Sequence, residues 1–543
     1  MISRFFNYQT KTVTRAAGIL VISALISRFL GVIRDWLLAK TFGAGVELDA
    51  YFTAFRIPDF VYNVFIVGGI LVAFLPLFSE YFSKNKKEAW DFASNCLNIF
   101  LFLLIFLSFF LFILAPSLAK LIAPGFTLEQ MALTTFLMRL MFLSPIFFGL
   151  SSILSGILQY FNRFLVYSLC PILYNLGIIL GILFLAPKFG ILGVALGVIL
   201  GAFFHFAIQL PSALNCGFSY QPIFNFKSSK IKKVFILMIP RTFGMVANQI
   251  NLLVINAIAS TLTVGSIAIL NFAGQLFLAP VGIIGISFAV AAFPALSKSW
   301  AEDRKDDFVG NFSLVFRQIL YLAIPISILI FILRNQIVEI ILRHGQFSLL
   351  AAKLTAASLG LFCFGIFAFS LIPLIYRAFF SFQDTKTPAL ISIVSMGFNI
   401  ILSFFLTWSL APSVKFWWGE NLMRDIFPLQ GIEDISVLGL PLAMSISLIF
   451  QFILSIFFLQ KRIGDFKTKE VFNSFLKISI ASIVMAGIIY FVFLSPLQAF
   501  FGVFWQAIIG GLVGVLVYIV ATFLLKSPEL ETIKSSILRK FKK

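Results

Sequence analysis

The chain has 543 residues, of which 60% are hydrophobic and 12% charged, and its mean hydropathy is +1.03. A soluble domain carries about 25% charged residues, so the composition excludes a soluble globular protein and indicates a polytopic membrane protein. The net charge of +19 would suggest nucleic-acid binding in a soluble protein. Here most Lys and Arg lie in short loops between apolar segments, and we expect no nucleic-acid partner.

Residues 1–16 are polar and basic and predict a cytoplasmic N-terminal segment without a cleavable signal peptide. Apolar runs of about 18 residues or more predict membrane spans, and fourteen are present. Their approximate limits are 17–42, 50–79, 92–119, 131–159, 164–186, 190–211, 234–260, 263–296, 309–333, 347–376, 387–411, 436–460, 471–495 and 500–525. Lys and Arg concentrate in alternate loops, beginning with the N-terminal segment. The positive-inside rule therefore predicts that both termini are cytoplasmic.

An internal repeat is present. PLFS at 76–79 recurs as PALS at 294–297, an offset of 218 residues (294 − 76 = 218) that also relates Trp90 to Phe308. The offset corresponds to six helices, an even number, so the two units have the same orientation, as in transporters with parallel repeats. The predicted fold class is an all-α polytopic membrane protein with two parallel six-helix lobes and two further C-terminal helices.

The predicted organisation follows from the repeat. Its parts are an N-lobe over 17–211 (helices 1–6), a cytoplasmic inter-lobe loop over 212–233, a C-lobe over 234–460 (helices 7–12), helices 13 and 14 over 461–525, and a basic cytoplasmic tail over 526–543. Helices 13 and 14 are almost free of charge and contain Gly510, Gly511 and Gly514. Two interpretations remain open for them: an apolar groove for a lipid tail, or packing against the C-lobe.

The first two helices contain ionisable residues at membrane depth. They are Arg28, Arg34, Asp35, Asp49, Arg56 and Asp59. A charge at the bilayer centre costs at least about 2.5–3.5 kcal/mol, so such residues usually face a wet cavity or a partner. With Asp49 interpreted as a helix cap, the three arginines outnumber the acids that are available to pair with them, and we predict a basic chamber for an anionic head group. The alternative is an internal pair, with Arg28 and Asp35 on one helix face joining helices.

Asp49 follows the turn GAGVELD between helices 1 and 2. Its position predicts the N-cap of helix 2, and it is a candidate for orienting an arginine. In the second lobe, Arg241 has no acid in the surrounding predicted helices and is predicted to face the cavity. Helix 8 adds Gln275, which is equally consistent with ordinary interhelical hydrogen bonding.

Motifs for catalysis are missing from the sequence. It contains no G-x-x-x-x-G-K-[ST] and no H-E-x-x-H, and its four cysteines are scattered without C-x-x-C. We therefore expect no cofactor, no metal and no enzymatic activity. The pattern favours binding and movement of an anion.

Several segments resemble one family. SRFLGVIRDWLLAKTFGAGVELDAYFTAFRIPD, AFLPLFSEY, IPRTFGMVANQINLLVINAIAS, AAFPALSKSW and RAFFSFQDTKTP resemble the MurJ (MviN) lipid II flippases of the multidrug/oligosaccharidyl-lipid/polysaccharide exporter superfamily. The resemblance implies transport of an undecaprenyl-pyrophosphate-linked muropeptide from the inner to the outer leaflet of the bacterial cytoplasmic membrane, for cell wall synthesis. The family's helix 1 and helix 2 motif residues correspond to Arg28, Arg34, Asp35, Asp49 and Arg56.

Two departures from the family pattern remove positive charge. Where the family often has Arg-Arg-x-Phe-Ala-Glu-Gly-Ala, this chain has YNVFIVGG at 62–69. Where many members have Ala-Asp-Arg-Leu in helix 8, this chain has AGQL at 273–276, so that Gln275 replaces an arginine. Either Arg241 compensates, or the substrate head group differs.

The resemblance predicts a monomer whose partners are the lipid-linked anionic substrate, the surrounding lipids and the cell wall synthesis machinery. Three alternatives are open, of which the first is a related flippase and the other two belong to other functional classes. A flippase for another polyprenyl-linked oligosaccharide, of O-antigen or capsule type, would share the basic chamber. An ion-coupled drug antiporter would need an acidic or aromatic cation site, and a polyprenyl-phosphate transferase would need paired acids or a metal.

Overall fold

The computed structural model describes residues 9–10, 13–411, 418–494 and 502–531. Over those ranges the regular structure is helical and contains no strand, which confirms the all-α class. Eleven helices there are long and apolar enough to cross a membrane, or twelve if one bent pair counts as a single span. The predicted count of fourteen spans is consistent with this result and stays a prediction.

We group the main helical segments of the described residues in chain order. They are α1 (Val13–Phe42), α2 (Val46–Lys84), α3 (Lys86–Ile122), α4 (Leu128–Tyr160), α5 (Phe164–Phe189), α6 (Ile191–Asn215), α7 (Ser229–Ser260), α8 (Ser266–Ala301), α9 (Lys305–Ile341), α10 (Leu349–Cys363 and Ile366–Ser381), α11 (Lys386–Ser409), α12 (Ser436–Ile463), α13 (Thr468–Leu494) and α14 (Val503–Leu524). A short helix, Trp418–Ile426, precedes α12.

Helix starts follow ordinary capping chemistry. Thr127 and Gln130 form a reciprocal capping box at the start of α4, and Ser348 accepts the Ala351 N–H at the start of α10. Asn85 accepts the amides of Lys87 and Glu88 at the start of α3. These side chains satisfy amides that the helices themselves leave unpaired.

The chain divides into two compact units. The first comprises Met1–Ala268 with Gly345–Phe347, and the second comprises Ile269–His344 with Ser348–Lys543. Helix α7 thus belongs to the first unit by compactness, whereas the repeat assigns it to the C-lobe. Compactness and sequence repetition are different criteria, and the predicted lobe limits stay a prediction.

An aromatic cluster around Trp90 joins α2, α3 and α4 in the first unit. The Trp90 ring centroid lies 5.4 Å from Phe78, 5.5 Å from Phe82 and 6.0 Å from Phe161. Such contacts add specific geometry to the burial of large apolar area. The cluster therefore fixes the ends of these three helices against one another.

The second unit contains a corresponding cluster. Phe308 on α9 lies 5.6 Å from Trp300 and 5.2 Å from Phe382. The residues after α4 and α10 also correspond, because Asn162 and Gln383 both adopt left-handed backbone conformations, with φ of 57° and 60°. Helices α3 and α9 are each 37 residues long. The repeat seen in a few sequence letters thus extends to helix lengths, turns and aromatic packing.

One face of α14 packs within the second unit. A Cβ at Gly514 would lie 2.8 Å from Ile489 of α13 and 3.0 Å from Leu329 of α9. The Tyr518 hydroxyl donates to the Tyr321 carbonyl at 2.8 Å. Packing therefore explains this face of α14, and a lipid-tail groove formed by α13 and α14 stays a prediction.

Candidate functional site

Arg34 and Asp35 form a buried ion pair on α1. Arg34 Nε and Nη2 both donate to Asp35 Oδ1, at 3.0 and 2.8 Å. The Arg34 and Asp35 side chains are 20% and 12% exposed. The pair is electrically neutral, so Arg34 is not the surplus cation that the sequence suggested.

Asn175 of α5 holds the other side of the Arg34 guanidinium. Its Oδ1 accepts from Arg34 Nη1 at 3.1 Å, and its Nδ2 lies 3.2 Å from the carbonyl oxygens of Ser27 and Pro171. Three of the five N–H groups of a guanidinium are therefore used within the protein. The other two N–H groups of Arg34 have no partner among the described residues. The network with Asp35 and Asn175 fixes their orientation.

Arg28 contrasts with Arg34. Its side chain is exposed, and within the described part of the chain it has no hydrogen-bond or ion-pair partner. The sequence alternative in which Arg28 pairs with Asp35 is wrong, because Asp35 is held by Arg34. Arg28 is therefore a cation on α1 whose charge no described acid cancels.

Arg56 lies half-buried on α2. Its Nε donates to Asn256 Oδ1 on α7 at 3.3 Å. Asn256 Nδ2 in turn donates to Thr53 Oγ1 at 3.2 Å and to the Ile122 carbonyl at 2.9 Å. Since an amide is neutral, the Asn256 contact orients the Arg56 guanidinium without cancelling its charge.

The prediction that Asp49 caps α2 was wrong. Helix α2 begins at Val46 with Gly45 as its N-cap, and Asp49 lies one turn inside. The Asp49 carboxylate instead accepts the N–H groups of Gly265 at 2.6 Å and Ala268 at 2.8 Å. It therefore caps the start of α8, where a negative charge also complements the helix dipole.

A close backbone approach explains this pairing. Gly265 has a φ of +93°, and a Cβ there would lie 2.6 Å from the Ala44 carbonyl oxygen. The turn after α1 therefore contacts the segment before α8, and it brings Asp49, 2% exposed, to the unpaired amides. The residues involved are 216 positions apart, so a local capping rule does not find them.

Two predicted site residues stand apart from this group. The side chain of Arg241 lies outside the described residues. Gln275 is exposed on α8, in the second unit, and among the described residues it has no hydrogen-bond partner. Their roles in substrate binding stay predictions.

Sequence reasoning missed the positions of several functional partners. It did not identify Asn175 of α5 or Asn256 of α7 as partners of arginines. Both amides orient arginines in the structure. A polar amide in an apolar helix indicates an interhelical hydrogen bond. The sequence does not show which arginine that amide contacts.

Comparison with known proteins gives consistent results. The family model described as lipid II flippase MurJ matches residues 38–511. A probable lipid II flippase MurJ from Buchnera aphidicola subsp. Schizaphis graminum (strain Sg) is 30% identical over 494 residues, which cover 87% of this chain and 95% of the relative. One from Vibrio cholerae serotype O1 is 29% identical over 443 residues, covering 77% and 84%.

Solved structures agree. A lipid II flippase MurJ in an inward closed conformation superposes with a TM-score of 0.76 and 27% identity, covering 93% of this chain and 98% of that one. An inward-facing multidrug resistance MATE family transporter of the MOP superfamily has a TM-score of 0.63 at 14% identity, covering 83% and 99%. The second likeness concerns the fold alone.

Proposed function

The chain belongs to the MurJ lipid II flippase family, and from that premise we propose that it moves lipid II from the inner to the outer leaflet of the bacterial cytoplasmic membrane by alternating access. It is a multi-pass membrane transporter, not an enzyme. The observation that carries the assignment is the family match over residues 38–511, which includes all of α2 to α13.

The proposed ligand of Arg28 is the pyrophosphate of the substrate. A guanidinium stays charged and donates paired hydrogen bonds that match phosphate oxygens. Arg28 is exposed and unpaired among the described residues, so its donors are available. A head group in this position needs only a shielded polar path, while the polyprenyl tail remains in the bilayer.

The other residues have supporting roles in this proposal. Arg56 contributes a guanidinium oriented by Asn256, and Arg34 contributes its two remaining N–H groups. Asp35 positions Arg34, and Asp49 fixes the start of α8 rather than contacting substrate. Arg241 and Gln275 are proposed to contact the head group from the helices that follow.

The topology and partners are also proposals. Alternate loops rich in Lys and Arg support cytoplasmic N- and C-termini. We propose that the protein acts as a monomer and contacts the cell wall synthesis machinery, which would receive the flipped substrate. A reporter fused after Lys543 that is active only outside the cytoplasm would overturn the topology.

Complementation tests the substrate. We expect the chain to restore growth to a strain depleted of its own lipid II flippase and to lower the amount of lipid II retained in the inner leaflet. A flippase for an O-antigen or capsule unit would leave lipid II in the inner leaflet and restore only the corresponding surface polysaccharide. That second outcome would contradict the proposal.

A further inference from the structure

The first unit contains two adjoining cavities that the arginine site does not use. Their volumes are about 260 and 130 Å³. Residues of α1, α2, α4, α5 and α6 line them, and the two share four wall residues, Tyr62, Phe148, Pro171 and His205. The larger cavity is lined by hydroxyl groups of Ser23, Ser152, Ser155, Tyr167 and Ser168. The rest of the lining is mainly apolar, so these hydroxyl-bearing residues lie in a largely apolar wall.

Asp59 lines the smaller cavity. It lies on α2 three positions after Arg56, and Asn63 Nδ2 donates to its backbone carbonyl at 3.0 Å. An acid inside a membrane helix is expensive and by default marks a functional site with a partner. His205 of α6 lines the same cavity. Asp59 therefore supplies a carboxyl group, and His205 an imidazole, to the wall of the smaller cavity.

A hydrogen-bond network fixes the His205 ring. Its Nδ1 lies 2.6 Å from Ser151 Oγ on α4, and the ring packs edge-on against Phe148 at 5.2 Å. The Gln209 amide donates to Ser151 Oγ and, at 3.0 Å, to the His205 carbonyl. Ser155 donates to Gln209 Oε1 at 2.8 Å. Ser151 thus holds the imidazole by a hydrogen bond, and Gln209 and Ser155 hold the Ser151 hydroxyl in place.

The Ser151 hydroxyl allows the ring to change protonation. When the ring is neutral, Ser151 donates to Nδ1. When Nδ1 carries a proton, it donates to Ser151 Oγ, whose own proton turns to the His205 carbonyl oxygen at 3.3 Å. Nδ1 and Ser151 Oγ stay hydrogen-bonded to each other in either state, and no heavy atom has to move.

Other titratable groups also face this space. Helix α2 contributes Tyr62 and, beside Asp59, Arg56; helix α5 contributes Tyr167, Cys170 and Tyr174, of which Tyr174 also lies near Arg34. The cavity walls from α1 and α4 contribute no titratable side chain. Tyrosine, cysteine and arginine ordinarily lose protons only above neutral pH, whereas carboxyl and imidazole groups titrate below or near it.

We propose that this cavity is a proton-binding site in which Asp59 is the acceptor and His205 its exchange partner. A proton passes from the His205 imidazolium through cavity water to the Asp59 carboxylate, which leaves a neutral imidazole and a carboxylic acid. A proton fits these walls better than a sodium ion, since hard cations take several oxygen ligands and the shared wall presents an imidazole. Coupling of this proton to substrate movement rests on the proposed function.

Infrared spectroscopy of the purified full-length chain tests proton binding directly. Difference spectra between acidic and neutral pH report the carbonyl stretch of a protonated carboxyl group. We expect a band in the wild type that is lost in Asp59→Asn and retained in Asp425→Asn, whose carboxylate is exposed. Asp59→Glu retains a carboxyl group and should retain a band, which separates loss of the group from loss of the fold.

His205 is tested by the midpoint of the same band. His205→Gln should displace the midpoint of the carboxyl titration, and the matched change at the chain's other histidine, His344→Gln, should leave it unchanged. A band that persists in Asp59→Asn would overturn the proposal. A midpoint that responds to replacing potassium with sodium would also overturn it and would indicate a sodium site.

Flipping assays separate this proposal from the proposed function. In proteoliposomes with lipid II, a pH gradient should change the flipping rate of the wild type but not that of Asp59→Asn. Absence of lipid II flipping by the wild type, with the infrared band intact, would overturn the proposed substrate and leave the proton site standing. A response of Asp59→Asn to the gradient equal to that of wild type would refute the coupling.

Discussion

Helices α2 and α8 occupy equivalent places in the repeat and share their shape but not their chemistry. Each contains a π-helical segment, Tyr62–Ile70 in α2 and Gly282–Ile286 in α8. Each also contains a proline at the repeat offset, Pro76 and Pro294. Yet α2 carries Asp49, Arg56 and Asp59 at membrane depth.

Helix α8 has no Asp, Glu, Lys, Arg or His between Ser266 and Ser297. The position related to Arg56 by the repeat offset is Gly274, and that related to Asp59 is Phe277. The apolar pattern with its Gly and Pro residues thus sets the helix shape in both copies. Ionisable groups are present in α2 and missing from residues 266–297 of α8. The shared helix shape therefore does not depend on them.

The largest effect is expected at Arg28 of α1, in the same repeat unit as α2. Arg28 has no hydrogen-bond or ion-pair partner among the described residues. Arg28→Ala should lower lipid II flipping at least about tenfold, since a charge-assisted hydrogen bond contributes about 1.5–3 kcal/mol. Arg28→Lys should rescue only in part, because Lys lacks the planar pair of donors. Proteoliposome flipping and complementation give the measurement, with membrane abundance determined in parallel.

Arg462→Ala, at an exposed arginine near the end of α12, is the control for loss of a positive charge. It should retain flipping and abundance. Normal flipping by Arg28→Ala would show that the Arg28 charge does not bind the head group.

The next effect concerns folding rather than binding. Arg34→Ala leaves the Asp35 carboxylate buried without its ion-pair partner, and breaking such a pair costs about 3–5 kcal/mol. We expect a marked fall in the amount of folded protein in the membrane, measured by fluorescence-detected gel filtration. The Arg34→Ala/Asp35→Ala double variant should recover abundance but not full flipping.

Arg28→Ala should leave abundance unchanged. The two arginines of α1 are therefore expected to differ, because loss of Arg34 lowers the amount of folded protein and loss of Arg28 does not. If Arg34→Ala retained wild-type abundance, the ion pair seen on α1 would be energetically unimportant. Arg34 would then rank with Arg28 as a binding residue.

A smaller effect is expected at Asp49 of α2, whose carboxylate caps the start of α8. Asp49→Ala removes a buried acceptor from the amides of Gly265 and Ala268, and we expect a loss of about 1.5–3 kcal/mol in the free energy of unfolding. Asp49→Asn keeps one oxygen acceptor and should lose less. Thermal unfolding in detergent measures both, with Glu47→Gln, an exposed neighbour, as control.

Equal melting temperatures for Asp49→Ala and Glu47→Gln would contradict this capping role. A loss of flipping without any loss of stability would instead favour direct contact of Asp49 with substrate.

The smallest effect is expected when positive charge is restored to α8. Gln275 is exposed and stands where many family members have arginine. Gln275→Arg should leave abundance unchanged and should keep the flipping rate within a few fold of wild type. A strong loss of flipping would indicate that this chain's substrate requires a neutral side chain at that position.

The structural class and the family resemblance are both readable from the amino-acid sequence. Hydropathy indicates membrane helices because a span must pair every backbone group internally and cover itself with apolar side chains. Both requirements are local and are readable along the chain. The repeat was likewise visible, since Pro76 and Pro294 with their neighbours recur at one offset.

Which charges remain available depends on how the helices pack, and the sequence does not show it. Arg28 and Arg34 look equivalent in sequence, yet Asp35 and Asn175 take up Arg34 and leave Arg28 exposed. Asp49 looked like a local cap and serves a helix 216 residues away. An ion pair or a cap forms wherever folding brings a partner within about 3 Å, and that distance depends on packing between helices that are remote in the chain.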